Sequence, residues 1–147
     1  MTDHTAEILL IEDSPDDAAF FKHTFAKSNL VARLNVVGDG AEALEFISST
    51  GRHAGRNHAP SPRIIVLDLK LPKLDGLQVL RRLKSDPRTW NIPIVVFSSS
   101  EEESDLVASY KLGVNSYIVK PMDFDEFTES VQRLVEYWLR FNRIPKL

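Results

Sequence analysis

Glu12, Asp13, Asp68, Ser98 and Lys120 are the residues of this 147-residue chain whose types and placement can do chemistry. Each closes a short apolar run: Glu12-Asp13 follows Ile8-Leu9-Leu10-Ile11, Asp68 follows Ile64-Ile65-Val66-Leu67, Ser98 follows Ile94-Val95-Val96-Phe97, and Lys120 follows Ser116-Tyr117-Ile118-Val119. Three carboxylates brought to one rim cannot all ionise cheaply. Such a cluster raises one pKa strongly or recruits a cation. An all-oxygen set without His or Cys suits hard Mg2+ rather than zinc. Lys120 adds a positive point charge and Ser98 a hydroxyl donor, so the group would bind a phosphoryl moiety. Phosphoryl transfer relies on positioning and charge neutralisation, and a carboxylate in line with the phosphate can be the nucleophile, giving an acyl phosphate. Asp68 is the candidate acceptor.

Taken singly, these residues have plainer readings. Glu12 and Asp13 suit a helix start, Ser98 a cap within Ser98-Ser99-Ser100, and Lys120 a solvated surface. Asp68 could open the turn Leu69-Lys70-Leu71-Pro72, but a carboxylate directly behind four buried aliphatics stands at a desolvated edge. Only co-location favours function, and that depends on the fold.

The apolar runs are continuous rather than alternating, the pattern of strands covered on both faces. Ser14-Pro15-Asp16-Asp17 supplies a cap, a proline at the first helical position and first-turn acids, so a helix to about Lys27 is expected. Arg33–Val37 reads as a weaker strand and Ala41–Ser49 as a helix. The stretch 50–62 is rich in turn formers without periodicity and reads as an exposed loop. Leu77, Leu80 and Leu83 mark a third helix ending before Asp86-Pro87, Glu101–Leu112 a fourth, and Asp123 to about Phe141 a fifth. The count is (βα)5. Strict alternation implies a parallel sheet with helices on both faces, and the length excludes a closed eight-stranded barrel of ~250 residues. The expected architecture is an open doubly wound α/β sheet, strand order 2-1-3-4-5, with its site at the carboxyl ends of the strands.

Composition narrows the setting. The longest aliphatic runs are four residues, far short of the ~20 that span a bilayer, so no membrane role is expected. The amino terminus lacks the features of a secretory signal, and the absence of cysteine gives no reason to expect an oxidising compartment, which leaves the cytoplasm as default address. Eighteen basic and 21 acidic residues give a net charge of −3, the wrong sign for attracting nucleic acid.

With Glu12-Asp13 after the first strand, Asp68 after the third, Leu71-Pro72-Lys73-Leu74-Asp75-Gly76 behind it, Ser98 thirty residues on and Lys120-Pro121 fifty-two residues beyond Asp68, the sequence resembles a receiver domain of two-component response regulators. The likeness extends over about residues 6–141, within a single domain 1–147 that ends in a short tail, 142–147. The resemblance implies a flavodoxin-like fold, phosphorylation of Asp68 by a histidine kinase, and Mg2+ held by Glu12, Asp13, Asp68 and the backbone carbonyl of Lys70. It further implies that Lys120 contacts the phosphate, that Ser98 is the switch hydroxyl followed by the rotamer of Tyr117, and that the Lys120-Pro121 bond is cis. Lys70 stands where a small polar side chain is frequent, and its ammonium could shield an acyl phosphate from water. The insertion at 50–62, the Leu-Pro-Lys loop and an aromatic last helix resemble the single-domain regulators that serve phytochrome-type kinases.

Phe124, Phe127, Val131, Leu134, Trp138 and Phe141 recur at spacings of three and four, and Val135, Tyr137 and Leu139 widen that surface beyond what packing on one sheet requires. A homodimer through the fourth helix, fifth strand and fifth helix, anchored by Trp138 and Phe141, is the expectation; a last helix satisfied by its own core is the plainer alternative. No output domain is expected, so the output is contact with other proteins. Two readings compete with the phospho-acceptor. A phosphohydrolase of the haloacid-dehalogenase type would carry an acid/base Asp two positions after its nucleophile, where this chain has Lys70. A scaffold that is never phosphorylated would not need the intact acid cluster, hydroxyl and lysine.

Overall fold

The computed structural model describes residues 6–56 and 61–144. Five strands, β1 (Ala6–Ile11), β2 (Ala32–Val37), β3 (Ile64–Leu67), β4 (Ile94–Ser98) and β5 (Ser116–Val119), alternate with five α-helices, α1 (Pro15–Lys27), α2 (Gly40–Ser48), α3 (Gly76–Ser85), α4 (Glu103–Lys111) and α5 (Phe124–Glu136). The sheet is wholly parallel, in the order β2-β1-β3-β4-β5, which is the expected doubly wound topology.

The continuous apolar runs split by alternation into two cores, because successive side chains of a strand point to opposite faces. Leu9, Ile11, Ile65, Leu67, Ile94 and Val96 face α2 and α3, meeting Ala43, Phe46, Val79, Leu80 and Leu83. Ile8, Leu10, Ile64, Val66, Val95 and Phe97 face α1 and α5, meeting Phe21, Phe127, Val131, Leu134 and Val135. At about 1.5–3 kcal/mol for each fully buried aliphatic or Phe, these layers dominate the stability that the polar rim draws upon. Among the described residues no helix is long and apolar enough to cross a membrane.

Helix starts follow local chemistry. The Ser14 hydroxyl accepts from the Asp17 N–H at 3.3 Å, Asp39 caps α2 through the Glu42 N–H at 2.7 Å, and Asp75 and Gln78 form a reciprocal capping box on α3. Gly76 opens α3 against the end of β3: a Cβ there would lie 2.4 Å from the Leu69 Cα and 2.5 Å from the Asp68 carbonyl oxygen. Only glycine lets α3 begin this close to the backbone that carries Asp68.

Two stretches differ from expectation. Residues 51–56, read as part of an exposed loop without periodicity, are largely exposed but form a 3-10 turn; positions 57–60 lie outside the described residues. The turn is held by side chains rather than by an apolar stripe. The Arg52 guanidinium bonds Glu45 and Asp39, the His53 ring meets Glu42 at 3.0 Å, and the Arg56 guanidinium lies 3.5 Å over the Phe46 ring. Such anchoring leaves no periodicity to read. The last α-helix ends at Glu136 and passes into a π-helical turn, Tyr137–Phe141. The wider turn advances less per residue, so Trp138 and Leu139 stay against the core while Phe141 falls short of it and is 78% exposed. Of the expected tail, 145–147 lie outside the described residues.

Gly76→Ala is expected to lower stability by about 1–3 kcal/mol, the cost of overpacking a tight contact, read as a fall in the urea midpoint at unchanged m-value.

Candidate functional site: an acidic rim closed by one lysine

The carboxyl ends of β1, β3, β4 and β5 lie side by side, and backbone bonds fix their exits. The Glu12 N–H donates to the Val37 carbonyl at 3.0 Å, the Asp68 N–H to the Ile11 carbonyl at 3.0 Å, and the Lys120 N–H to the Ser98 carbonyl at 2.7 Å. Glu12, Asp13 and Asp68 each offer one carboxylate oxygen within 4.8 Å of the others. Glu12 and Asp68 are buried and Asp13 is exposed, so the cluster is sealed on the core side and open to water on the other. The Asp68 Oδ1 accepts from the Lys70 N–H at 3.2 Å; the Lys70 side chain itself is exposed.

Lys120 reaches across this rim with its side chain only 7% exposed. Its ammonium donates to Glu12, to Asp17 at 2.9 Å and to Asp68 Oδ2 at 3.3 Å, one partner for each N–H. It also sits 5.9 Å from the centre of the Phe97 ring, within cation–π range. Burial disfavours the ammonium, but the bonds to Asp17 and Glu12 and the charge of Asp68 outweigh it and hold the Lys120 pKa above its ordinary value. Glu12 moves the other way for a carboxylate: burial pushes its pKa up to about 7, with the Lys120 bond opposing and the Asp68 charge reinforcing the shift. Burial thus sets the direction at Glu12, and the crowding expected from the sequence adds to it through Asp68. The donor set is hard oxygen throughout and open on one side, which fits a small divalent cation that keeps several waters.

Ser98 is fully buried at the end of β4, and its hydroxyl oxygen accepts from the Ser100 N–H at 3.2 Å. The Ser100 hydroxyl donates to Asp105 of α4, and the Tyr117 hydroxyl donates to the Ser100 carbonyl at 3.0 Å. Burial raises the Tyr117 pKa. Tyr117 is thus half-buried against the β4–α4 connection.

The expected cis bond before Pro121 is not found: the described residues contain no cis peptide bond, and Lys120-Pro121 is trans. Trans is the favoured isomer even for X-Pro, by ~0.5–1 kcal/mol, and Lys120 reaches all three carboxylates with it. Trp138 packs partly into the core beside Leu139, whereas Phe141 projects into solvent. Asp17 was read from sequence only as a first-turn acid; the structure adds it to the rim. Nothing in its type or spacing sets it apart from an ordinary first-turn acid; its reach to Lys120 depends on side-chain geometry.

The response regulator receiver domain family matches residues 8–132, and the chain belongs to this family. It is 36% identical over 138 residues to response regulator Rcp1 of Synechocystis, covering 94% of this chain and 92% of Rcp1. The solved Mn2+-bound form of Rcp1 superposes with a TM-score of 0.90 at 35% identity, covering 96% of this chain and 99% of Rcp1. The phosphorylated cyanobacterial phytochrome response regulator RcpA gives a TM-score of 0.90 at 37% identity, with 97% and 99% covered. A probable methanogenesis regulatory protein, FilR2 of Methanothrix harundinacea, is 37% identical over 138 residues, 94% of this chain and 86% of FilR2.

Lys120→Met leaves the buried acids without their cation and is expected to cost about 3 kcal/mol, the lower end for breaking a buried pair because Glu12 can take up a proton. Urea unfolding in a chelator reads the loss, and excess Mg2+ should recover part of it by binding the folded state.

Proposed function

We propose that this chain is a phospho-acceptor of a two-component system, taking a phosphoryl group from a histidine kinase on Asp68. The observation that carries the reading is the Asp68 carboxylate itself: it is buried at the end of a central strand, within reach of one ammonium and beside two further carboxylates able to share a cation. Mg2+ would be held by Glu12, Asp13, Asp68 and the Lys70 carbonyl, directly or through water, and would neutralise charge on both the acid cluster and the incoming phosphoryl group. An Asp68 oxygen attacks phosphorus, the bond to the donor's leaving group breaks, and that group departs with the electron pair. Lys120 then has a phosphoryl oxygen to bind in place of Asp68 Oδ2.

Ser98 is the switch hydroxyl in this reading. A phosphoryl group brings about −1.5 to −2 charge and strong acceptor oxygens, which draw the hydroxyl away from the Ser100 N–H. Tyr117, bonded to the same residue, follows. Position 70 is a lysine rather than a general acid, which favours a single modification over turnover of external substrates. The likeness to RcpA supports a phytochrome-class kinase as donor. Val107, Tyr110 and Val119 are exposed along α4 and β5, which supports a homodimer through α4, β5 and α5. Phe141 remains its free anchor, while Trp138 lends only its outer edge.

Incubation with acetyl phosphate and Mg2+ should add the mass of one phosphoryl group to the wild type and none to Asp68→Asn or to wild type in a chelator. An unchanged wild-type mass, or equal modification of Asp68→Asn, overturns the assignment. Sedimentation should show dimers at tens of micromolar; a monomer both before and after phosphorylation would remove the dimer from the reading.

A further inference from the structure

Lys120 has three N–H donors and three carboxylates around it, and its nearest partner after Glu12 is Asp17, at 2.9 Å, not Asp68 at 3.3 Å. Asp17 lies outside the three-carboxylate cluster that can share a cation. It is nevertheless built into the rim. The Glu12 carboxylate accepts from the Ser14 N–H at 3.2 Å, and the Ser14 hydroxyl accepts from the Asp17 N–H at 3.3 Å. Glu12 and Asp17 are therefore linked through Ser14 and close on the same ammonium from the first turn of α1, while Lys120 enters from the end of β5.

The consequence appears when a cation is added. A divalent ion among Glu12, Asp13 and Asp68 competes with Lys120 for Glu12 and Asp68, because all are oxygen ligands in its reach. Asp17 is the one lysine partner the cation does not claim. We infer that Asp17 is a positioning residue for phosphoryl transfer: it retains the Lys120 ammonium on the α1 side of Asp68, leaving the nucleophilic oxygen uncovered while one N–H stays directed toward the incoming phosphoryl oxygens. Without Asp17 the ammonium settles on Asp68 Oδ2, pairing with the nucleophile instead of with the transition state. In the step itself an Asp68 oxygen–phosphorus bond forms, the donor's phosphorus–oxygen bond breaks, and acetate leaves acetyl phosphate with the electron pair; Asp17 exchanges no proton and touches no reacting atom.

This inference rests on Asp68 being the acceptor, and the test separates the two. Phosphorylation by acetyl phosphate at saturating Mg2+ is followed for wild type, Asp68→Asn, Asp17→Ala and Asp17→Asn, with thermal unfolding recorded for each. Misplacing a group by about 1 Å can cost 10²-fold; loss of one of the three lysine contacts is expected to lower the maximal rate of Asp17→Ala about tenfold. The donor concentration at half-maximal rate should stay within about twofold, since Asp17 binds no donor. Asp17→Asn keeps an oxygen acceptor at the same reach and should regain most of the rate. Folded Asp17→Ala with the wild-type maximal rate, whatever its melting temperature, makes Asp17 a helix-start residue only and overturns the inference. So does an Asp17→Asn no faster than Asp17→Ala. If Asp17→Ala does not fold, Asp17→Ser, which suits a first turn but is too short to reach the ammonium, carries the same comparison. A wild type that takes no phosphoryl group, or one modified equally in Asp68→Asn, defeats the acceptor reading first and this inference with it.

Discussion

One ammonium among four carboxylates is the interaction on which the site depends. Lys120 contacts Glu12, Asp17 and Asp68, and Asp13 stands beside them at the open edge. Two like charges 4 Å apart repel by about 4 kcal/mol at the effective dielectric of a protein edge, so a single lysine cannot balance this set. Burial is the main cause of the upward shift of Glu12, and the neighbouring Asp68 charge adds to it. A rim of this kind is poised: any divalent cation or any change in the charge of Asp68 alters the bonds of Lys120 at once.

Such a cluster is held against its own repulsion by what lies beneath it. β1, β3 and β4 are buried on both faces, and each delivers a polar residue at the point where its apolar run stops. The backbone ladder continues past the strand ends, as the Glu12, Asp68 and Lys120 N–H groups are all paired. The backbone that carries these side chains therefore has little freedom to part. Replacing a buried ionic group by apolar residues of like volume is often neutral or stabilising, so the cluster is no asset to folding. Its presence at the carboxyl edge of a doubly covered sheet argues for chemistry rather than for architecture.

Most of this was legible in the sequence because the two signals coincide. Aliphatic runs of four mark doubly covered strands, and the residue ending each run is displayed at the rim. Glu12, Asp13, Asp68, Ser98 and Lys120 could be found that way, and the alternation of elements implied a parallel doubly wound sheet, of which 2-1-3-4-5 is a common order. Residues whose position depends on side-chain geometry were not legible. The 51–56 turn is organised by Arg52, His53 and Arg56 reaching to Asp39, Glu42, Glu45 and Phe46, and charged tethers have no period. Phe141 kept the spacing of a core residue, yet the π-helical turn rotates it outward. Asp17 satisfied the rule for first-turn acids so well that a second role left no trace in composition.

Ser100 joins the rim to the start of α4 and to Tyr117, and magnitudes indicate how a phosphoryl group would act on it. Ser98 accepts one neutral bond from the Ser100 N–H, worth about 0.5–1.5 kcal/mol net, whereas a hydroxyl bonded to a charged phosphoryl oxygen gains about 1.5–3. On the phospho-acceptor reading the exchange favours the phosphate by roughly 1 kcal/mol or more, within the range of a typical coupling energy between sites. Ser100 cannot lose that bond unnoticed. It also bonds Asp105, the Glu102 N–H and the Tyr117 hydroxyl, and Glu102, at the N-cap position of α4, gives that helix no side-chain cap. The start of α4 is thus fastened by the residue whose N–H bonds the Ser98 hydroxyl, and Tyr117 ties the same point to β5. On the same reading, a change of charge at Asp68 would be felt at the α4–β5 face, where the exposed Val107, Tyr110 and Val119 stand.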